Sequence, residues 1–392
     1  MKDIRILYLA QASHKGSGIG GGARVKNTIN ILNKFQYKYG LIAYDFYSKK
    51  FSIDLENNNS NTNIIIHIPQ YLPNVIKSLF MIPYIFISLF YIKKSQVILS
   101  DFNNILCSLP AIILGKIFNI PVILDSIDTK LNKAIPDLIY NYLIKESTQI
   151  YVISHYLFNH FSKVVNSDKI FYYPISVDTD IFKNNNEYRF EVRSEIDCPD
   201  DTILICYAGS FTSYEGVSIL ISAFKKVIEG AHNVKLVIIG KIIWKNKDEN
   251  VENFIFDQQL EKSVIFLGLK QHEEMPKYLS AMDILCCPKI DCEINRAANP
   301  VKVIEYLSMA KPVIASSVGE IPIIITDNVN GFLVKPGDVE DLYNKIIFLI
   351  KDRSLFSKVG FEARNSIINN YDHCVIGDKI SNNLLKILNR SN

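Results

Sequence analysis

The sequence predicts an α/β fold of two domains built on parallel sheets, and three observations bear on it. Apolar runs of strand length alternate with helical periodicities along the chain, the rhythm of parallel sheets with crossover helices. The chain has 392 residues, too long for a typical single core, so two domains of roughly 180 residues fit. A glycine-rich loop, KGSGIGGGAR at Lys15 to Arg24, lies between a strand-like run and a helical pattern expected from Ala23. Taken in order, MKDIRILYLA reads as a first strand and not as a signal peptide, because its apolar run is short and interrupted by charge. YGLIAYDF, NIIIHI, SQVILSD, PVILDS and QIYVIS supply the remaining strands of the first half. ENNNSNTN, from Glu56 to Asn63, reads as a polar loop. ILICYAG, VKLVIIG, SVIFLG, DILCCP, PVIAS and GFLV are the strands of the second half. Expected boundaries are 1–182 and 183–371, followed by a helix with Ile376, Ile380, Leu384, Leu385 and Leu388 at helical spacing.

Asn299 to Ser316, NPVKVIEYLSMAKPVIAS, carries the most chemistry. Asn299 is a suitable N-cap, and Pro300 suits the first helical position, where a missing N–H costs nothing. Free N–H groups and the positive dipole end, at Pro300, Val301 and Lys302, favour an anion, most simply a phosphate. Lys302 and Glu305 are three apart and share a face. A carboxylate one turn on, at Glu305, suits a neutral diol such as a ribose. On an arbitrary helix the same pair would be an ordinary solvated ion pair.

Pro, Lys and Glu at this spacing, followed by Tyr306, Ala310 and PVIAS, resemble the donor-site signature of family 4 retaining glycosyltransferases, which have the GT-B fold. The similarity runs through most of the chain. YPISVDTDIF, Tyr173 to Phe182, resembles that family's interdomain segment, with Ile175 and Ser176 in place of its Asn and Gly. ICYAGSFTSYEGVSILISAF, Ile205 to Phe224, resembles the first strand, phosphate loop and helix of its C-terminal domain. LVIIG, VIFLG and MPKYLSAMDILCCP follow in the family's order.

The resemblance implies two Rossmann-like domains facing across a cleft, with the C-terminal helix, 372–392, crossing back onto the first. It implies transfer of a glycosyl group from a nucleotide diphosphate sugar to an acceptor hydroxyl, with retention of configuration. Donor contacts would come from Gly18, Gly20, Gly21 and Gly22, from Gly209, Ser210 and Gly216, and from Pro300, Val301 and Lys302. Glu305 would hold the ribose, and the backbone at Gly268 and Leu269 would meet the base. Asp125, at the carboxyl end of the strand in PVILDS and three residues before Asp128, is the expected equivalent of a group that contacts the transferring sugar or acceptor, or else a helix cap. Ser154 matches a strand-end serine of the family and equally suits an N-cap; His14 and His155 are weaker candidates. No metal or resident cofactor is implied, since Asp178-Thr-Asp180 falls in the interdomain segment.

Two departures bear on mechanism. Ala297 holds the place of the family's first glutamate, and Ser210 and Glu215 stand where many members have Arg and Lys. Either Lys302 and backbone N–H groups substitute for those cations or the donor site is weakened. The Tyr-Glu-Gly loop joined to a Pro-x-Lys-x-x-Glu helix is similar to a subset of the family, which favours substitution. An epimerase of the same fold and a non-catalytic partner subunit stay as alternatives. Gly16, Gly18 and Gly21 also satisfy a dinucleotide fingerprint, but QASHK separates them from the strand, where that fingerprint has its first glycine almost directly after it.

A net charge of +3, from 43 basic and 40 acidic residues, provides no nucleic-acid footprint. Seven cysteines without CxxC spacing read as small core residues in a reducing compartment, which points to the cytoplasm. SLFMIPYIFISLFYI, fifteen uncharged residues between Lys77 and Lys93, is short of the roughly 20 that a spanning helix needs. It reads either as a buried helix or as an element lying in the inner leaflet of the plasma membrane, its flanking lysines on anionic headgroups. The family's habits suit the second and a lipid-linked or glycan acceptor, in synthesis of a cell-surface polysaccharide or glycolipid.

Overall fold

The structure, a computed structural model, describes residues 4–11, 20–48, 50–58, 61–69, 71–73, 77, 81–127, 136–231, 233–240 and 251–391. His14, Gly16, Gly18 and Asp128 lie outside the described residues. Contacts divide the chain into two units, 1–175 with 373–392, and 176–372.

The first unit is built on β1 (Arg5–Ala10), β2 (Lys38–Ser48), β3 (Ser52–Asn58), β4 (Asn61–Pro69), β5 (Val97–Asp101), β6 (Val122–Ser126), β7 (Gln149–Val152) and β8 (Ile170–Tyr172). Their order in the sheet is β3-β4-β2-β1-β5-β6-β7-β8, parallel throughout except that β3 runs antiparallel to β4. Six of these strands are the expected apolar runs, and two were not foreseen. Most of the Asn-rich stretch is strand and not the expected loop: Asn57 and Asn58 end β3, Asn61 to Asn63 begin β4, and Asn58 pairs with Asn61. Ile64, Ile65 and Ile66 of β4 are buried, and the ladder they anchor carries on through residues of low strand propensity. β8 is three residues long, below the length at which an apolar run is distinctive.

Helices Gly20–Lys34, Met81–Ile92, Ile105–Phe118, Asp137–Glu146, His155–Phe161 and His373–Ser391 complete this unit. The glycine-rich helix starts at Gly20, not at Ala23. In a first turn the N–H groups have no intrahelical partner, so Gly20, Gly21 and Gly22 can begin a helix that Arg24, Val25 and Ile29 hold against the sheet. The C-terminal helix buries Ile376, Ile380, Leu384 and Ile387 in this unit's core, and Tyr151 Oη donates to Asn383 Oδ1 at 2.8 Å.

The second unit has β9 (Ile203–Ala208), β10 (Val234–Ile239), β11 (Val264–Gly268), β12 (Ile284–Cys287), β13 (Val313–Ser316) and β14 (Phe332–Val334). All pairs are parallel and the order is β11-β10-β9-β12-β13-β14. The order reverses between β9 and β12, and ligands of open parallel sheets bind beyond the carboxyl ends of the strands at such a switch point. The division between units falls after Ile175, seven residues before the boundary expected at 182. Residues 176–182 belong with the second unit because Ser308 Oγ donates to the Phe182 carbonyl at 2.6 Å and Arg364 donates to the same oxygen at 3.0 Å.

Candidate functional site

At the switch point the first residue after β9 is Gly209, with φ +150°, where a Cβ would collide with Lys302 Nζ. Only glycine lets the lysine come this close to the strand end. Lys302 lies in the first turn of the helix Val301–Ser308. That helix is fixed on β9 by Tyr306, whose hydroxyl accepts from Ala208 N at 2.8 Å and donates to the Ala208 carbonyl at 3.1 Å. Pro300, not Asn299, occupies the cap position, and no side chain caps the first turn. Pro300 has φ −78° and ψ 105°, extended backbone just outside the helix, so the helix opens one residue later than its sequence suggests.

Lys302 Nζ donates to Glu215 Oε2 at 2.7 Å and to Tyr207 Oη at 3.1 Å. The other oxygen of Glu215 accepts from Lys289 Nζ at 2.7 Å. Burial by itself would raise the Glu215 carboxyl, but Lys302 and Lys289 together hold it down at about 2. Glu215 in turn raises Lys302 above the usual lysine range, against the opposing effect of burial. Gly216, with φ +71°, passes so close to the Pro288 carbonyl that no Cβ fits, which brings the loop carrying Glu215 onto the residues that follow β12. Glu215, in the loop after β9, is thus one member of a cluster with two lysines, and the sequence showed only the first of them, Lys302, as a candidate.

Ser210 lends its carbonyl to Tyr207 Oη at 2.6 Å. Gly209 N donates to the Ile239 carbonyl at 2.9 Å and Gly240 N to the Gly268 carbonyl at 2.8 Å, which lines up the ends of β9, β10 and β11. Gly268 has φ +66°, and Leu269 after it is 68% exposed. Glu305 is buried, and its Oε1 lies 2.6 Å from His272 Nε2. His272 sits four residues beyond Gly268, so this bond draws together the two segments expected to hold ribose and base. His272 was not singled out in the sequence.

In the first unit Asp125 is the last residue but one of β6, with both oxygens taken. Arg24 Nε donates to Oδ2 at 2.9 Å and Nη2 to Oδ1 at 2.8 Å, a buried two-pronged pair. The guanidinium lies over the Tyr173 ring, 3.5 Å from its centroid. Asp125 therefore anchors the helix Gly20–Lys34, and residues 128–135, which it was expected to cap, lie outside the described ones. Asp101, its register partner at the end of β5, has a carboxyl raised to about 7 by loss of water around it and by Asp125, despite a bond from Asn103 N at 3.0 Å. Ser154 is the N-cap of His155–Phe161, accepting from Leu157 N at 3.2 Å. The His155 ring lies tilted against Tyr172, with centroids 4.4 Å apart. Cys286 and Cys287 are buried in β12, and among the described residues no cluster of three or more His, Cys, Asp or Glu is placed to hold a metal ion.

Residues 189–371 match the family model described as "Glycosyl transferases group 1". An uncharacterized glycosyltransferase of Methanocaldococcus jannaschii is 27% identical over 239 residues, 61% of this chain and 60% of that protein. The capsular polysaccharide biosynthesis glycosyltransferase CapM of Staphylococcus aureus is 26% identical over 182 residues, 46% of this chain and 45% of its own. The chain thus spans less than two thirds of these relatives. Among solved structures, Anabaena HepE in complex with UDP has a TM-score of 0.75 at 17% identity, over 98% of this chain and 100% of that one. That likeness gives the fold, which is GT-B, in agreement with the expectation from sequence.

Proposed function

We propose that the protein is a retaining glycosyltransferase that moves a sugar from a nucleotide diphosphate sugar to an acceptor hydroxyl in synthesis of a surface polysaccharide or glycolipid. The observation that carries this reading is the convergence of Gly209, Lys302 and the uncapped start of Val301–Ser308 at the β9–β12 switch point. The family match over 189–371 covers that whole arrangement, and the polysaccharide role named for CapM supports the acceptor class. Backbone N–H groups and Lys302 stabilise charge developing on the departing diphosphate, which is where such sites gain most of their rate. Glu305 accepts from the ribose, with His272 exchanging partners or orienting the carboxylate. Lysines supply the positive charge, so the reaction as read asks for no resident metal.

On the acceptor side, the outward face of Met81–Ile92 supports docking at the inner surface of a membrane. Tyr84, Ser88 and Ile92 are buried while Phe86 and Phe90 are 61% and 82% exposed. Ile113 and Ile117, on the helix Ile105–Phe118 that touches this one, are exposed as well. No helix among the described residues is long and apolar enough to cross a membrane.

UDP-, GDP- and ADP-sugars incubated with lipid-linked acceptor in anionic vesicles test both readings. Product and free nucleoside diphosphate should form together, only with acceptor present, and faster in vesicles than in detergent. Conversion of a donor without acceptor would favour the epimerase, and no turnover of any donor would favour a non-catalytic subunit.

A further inference from the structure

Glu215 sets a problem for a phosphate site. A carboxylate 2.7 Å from Lys302 Nζ makes that pair neutral, and a neutral pair attracts a dianionic diphosphate poorly. Lys289 resolves it. It follows β12 and Pro288, its side chain is 6% exposed, and its Nζ reaches the Glu215 oxygen that Lys302 leaves open. Asn295 Oδ1 accepts from the same Nζ at 3.0 Å, while Asn295 Nδ2 donates to the carbonyls of Tyr214 at 2.7 Å and Ile290 at 2.9 Å. The ammonium is therefore held at a fixed place beneath the loop, away from solvent.

We propose that Lys289 is a positioning residue of the donor site: it restores the positive charge that Glu215 cancels, leaving Lys302 a net cation for the donor's diphosphate. The inference rests on the donor reading above. Its basis is charge and exposure. The cluster holds one carboxylate and two ammonium groups, one positive charge in all, where screening by salt is weak. Lys302 is the most exposed of the three, at 17% against 9% and 6% for the side chains of Glu215 and Lys289. An ammonium has three donors, and Lys302 uses two of them on Glu215 and Tyr207, so one remains for a phosphate oxygen. As a phosphate draws Lys302 away, Glu215 stays compensated by Lys289. The arrangement replaces a phosphate-loop cation with a buried lysine acting through an acid.

Isothermal titration of UDP, GDP and ADP in turn against the full chain tests it. For whichever the wild type binds, Lys289→Met should weaken binding at least about tenfold, the scale of removing one member of a buried charge cluster. Glu215→Gln should bind more tightly than wild type, and Lys289→Met with Glu215→Gln should return to near wild-type affinity. A purely structural salt bridge predicts the opposite: Glu215→Gln weakens binding and the double variant restores nothing. That result would overturn the proposal, as would a folded Lys289→Met with unchanged affinity. If Lys289→Met does not fold, the Glu215→Gln and double variants decide alone. A wild type that binds none of the three nucleotides removes the donor reading and this proposal with it.

Discussion

Lys302 divides its donors between Glu215 and Tyr207, and the value of each contact differs in the folded protein and in the reaction. Lys302→Ala is expected to lower turnover by about a hundredfold, as loss of one transition-state donor does. Its melting temperature should fall little, because Lys289 still holds Glu215. Asp125 should show the reverse pattern. Asp125→Asn leaves Arg24 buried without its charge partner, so denaturant unfolding should show a loss of about 3 to 5 kcal/mol. An undiminished stability would mean that the pair adds nothing to the fold. Lys302 and Glu305 were legible in the sequence because a proline, a lysine and a glutamate at that spacing mark a helix start with one charged face. Lys289 was not, since DILCCP shows a buried strand and says nothing about where the next side chain turns. Arg24 lay at the end of the glycine run, but its partner is 101 residues away and no local pattern announces it.

At the scale of elements, strands buried on both faces leave a strong trace: runs of Val, Ile and Leu with turn residues at their ends. That is why the parallel strands of both sheets could be read, all but the three-residue β8, and why β3, an exposed edge rich in Asn, could not. Ile53 and Leu55 on that edge are 52% and 59% exposed, so no buried face declared itself. Chemistry at strand ends was even less visible. Asp101, the last residue of β5, and Asp125, the last but one of β6, are register partners, which is a property of the sheet and not of either sequence run. The consequence is a pH effect. Asp101 binds its proton more tightly folded, at about 7, than at its ordinary 3.8, so the folded state loses stability as pH rises between those values. Asp101→Asn should therefore raise the melting temperature at pH 8 and leave it unchanged at pH 4. Equal shifts at both pH values would mean the carboxyl's charge is not the cause.

Over the whole molecule, the chain leaves its first unit at Ile175 and returns to it at His373. The helical spacing of the last segment was plain in the sequence, but the exact handover at 176 depends on Ser308 and Arg364 reaching Phe182 from far along the chain. Truncation after Asp372 removes Ile376, Ile380, Leu384 and Ile387, each contributing about 1.5 to 3 kcal/mol when buried. Calorimetry should then show the first unit melting early or not folding, with nucleotide binding by the second unit retained. Loss of both would contradict an independent second unit.

The proposed reaction needs a nucleoside diphosphate bound at the β9–β12 switch point through Lys302 and Glu305. A thermal-shift comparison of wild type and Glu305→Ala against UDP, GDP, ADP and NAD tests it most directly. One nucleoside diphosphate, at a hundred times its dissociation constant, should stabilise the wild type by about 2.7 kcal/mol and stabilise the variant far less. Stabilisation by none of them, or by NAD alone, would contradict the account.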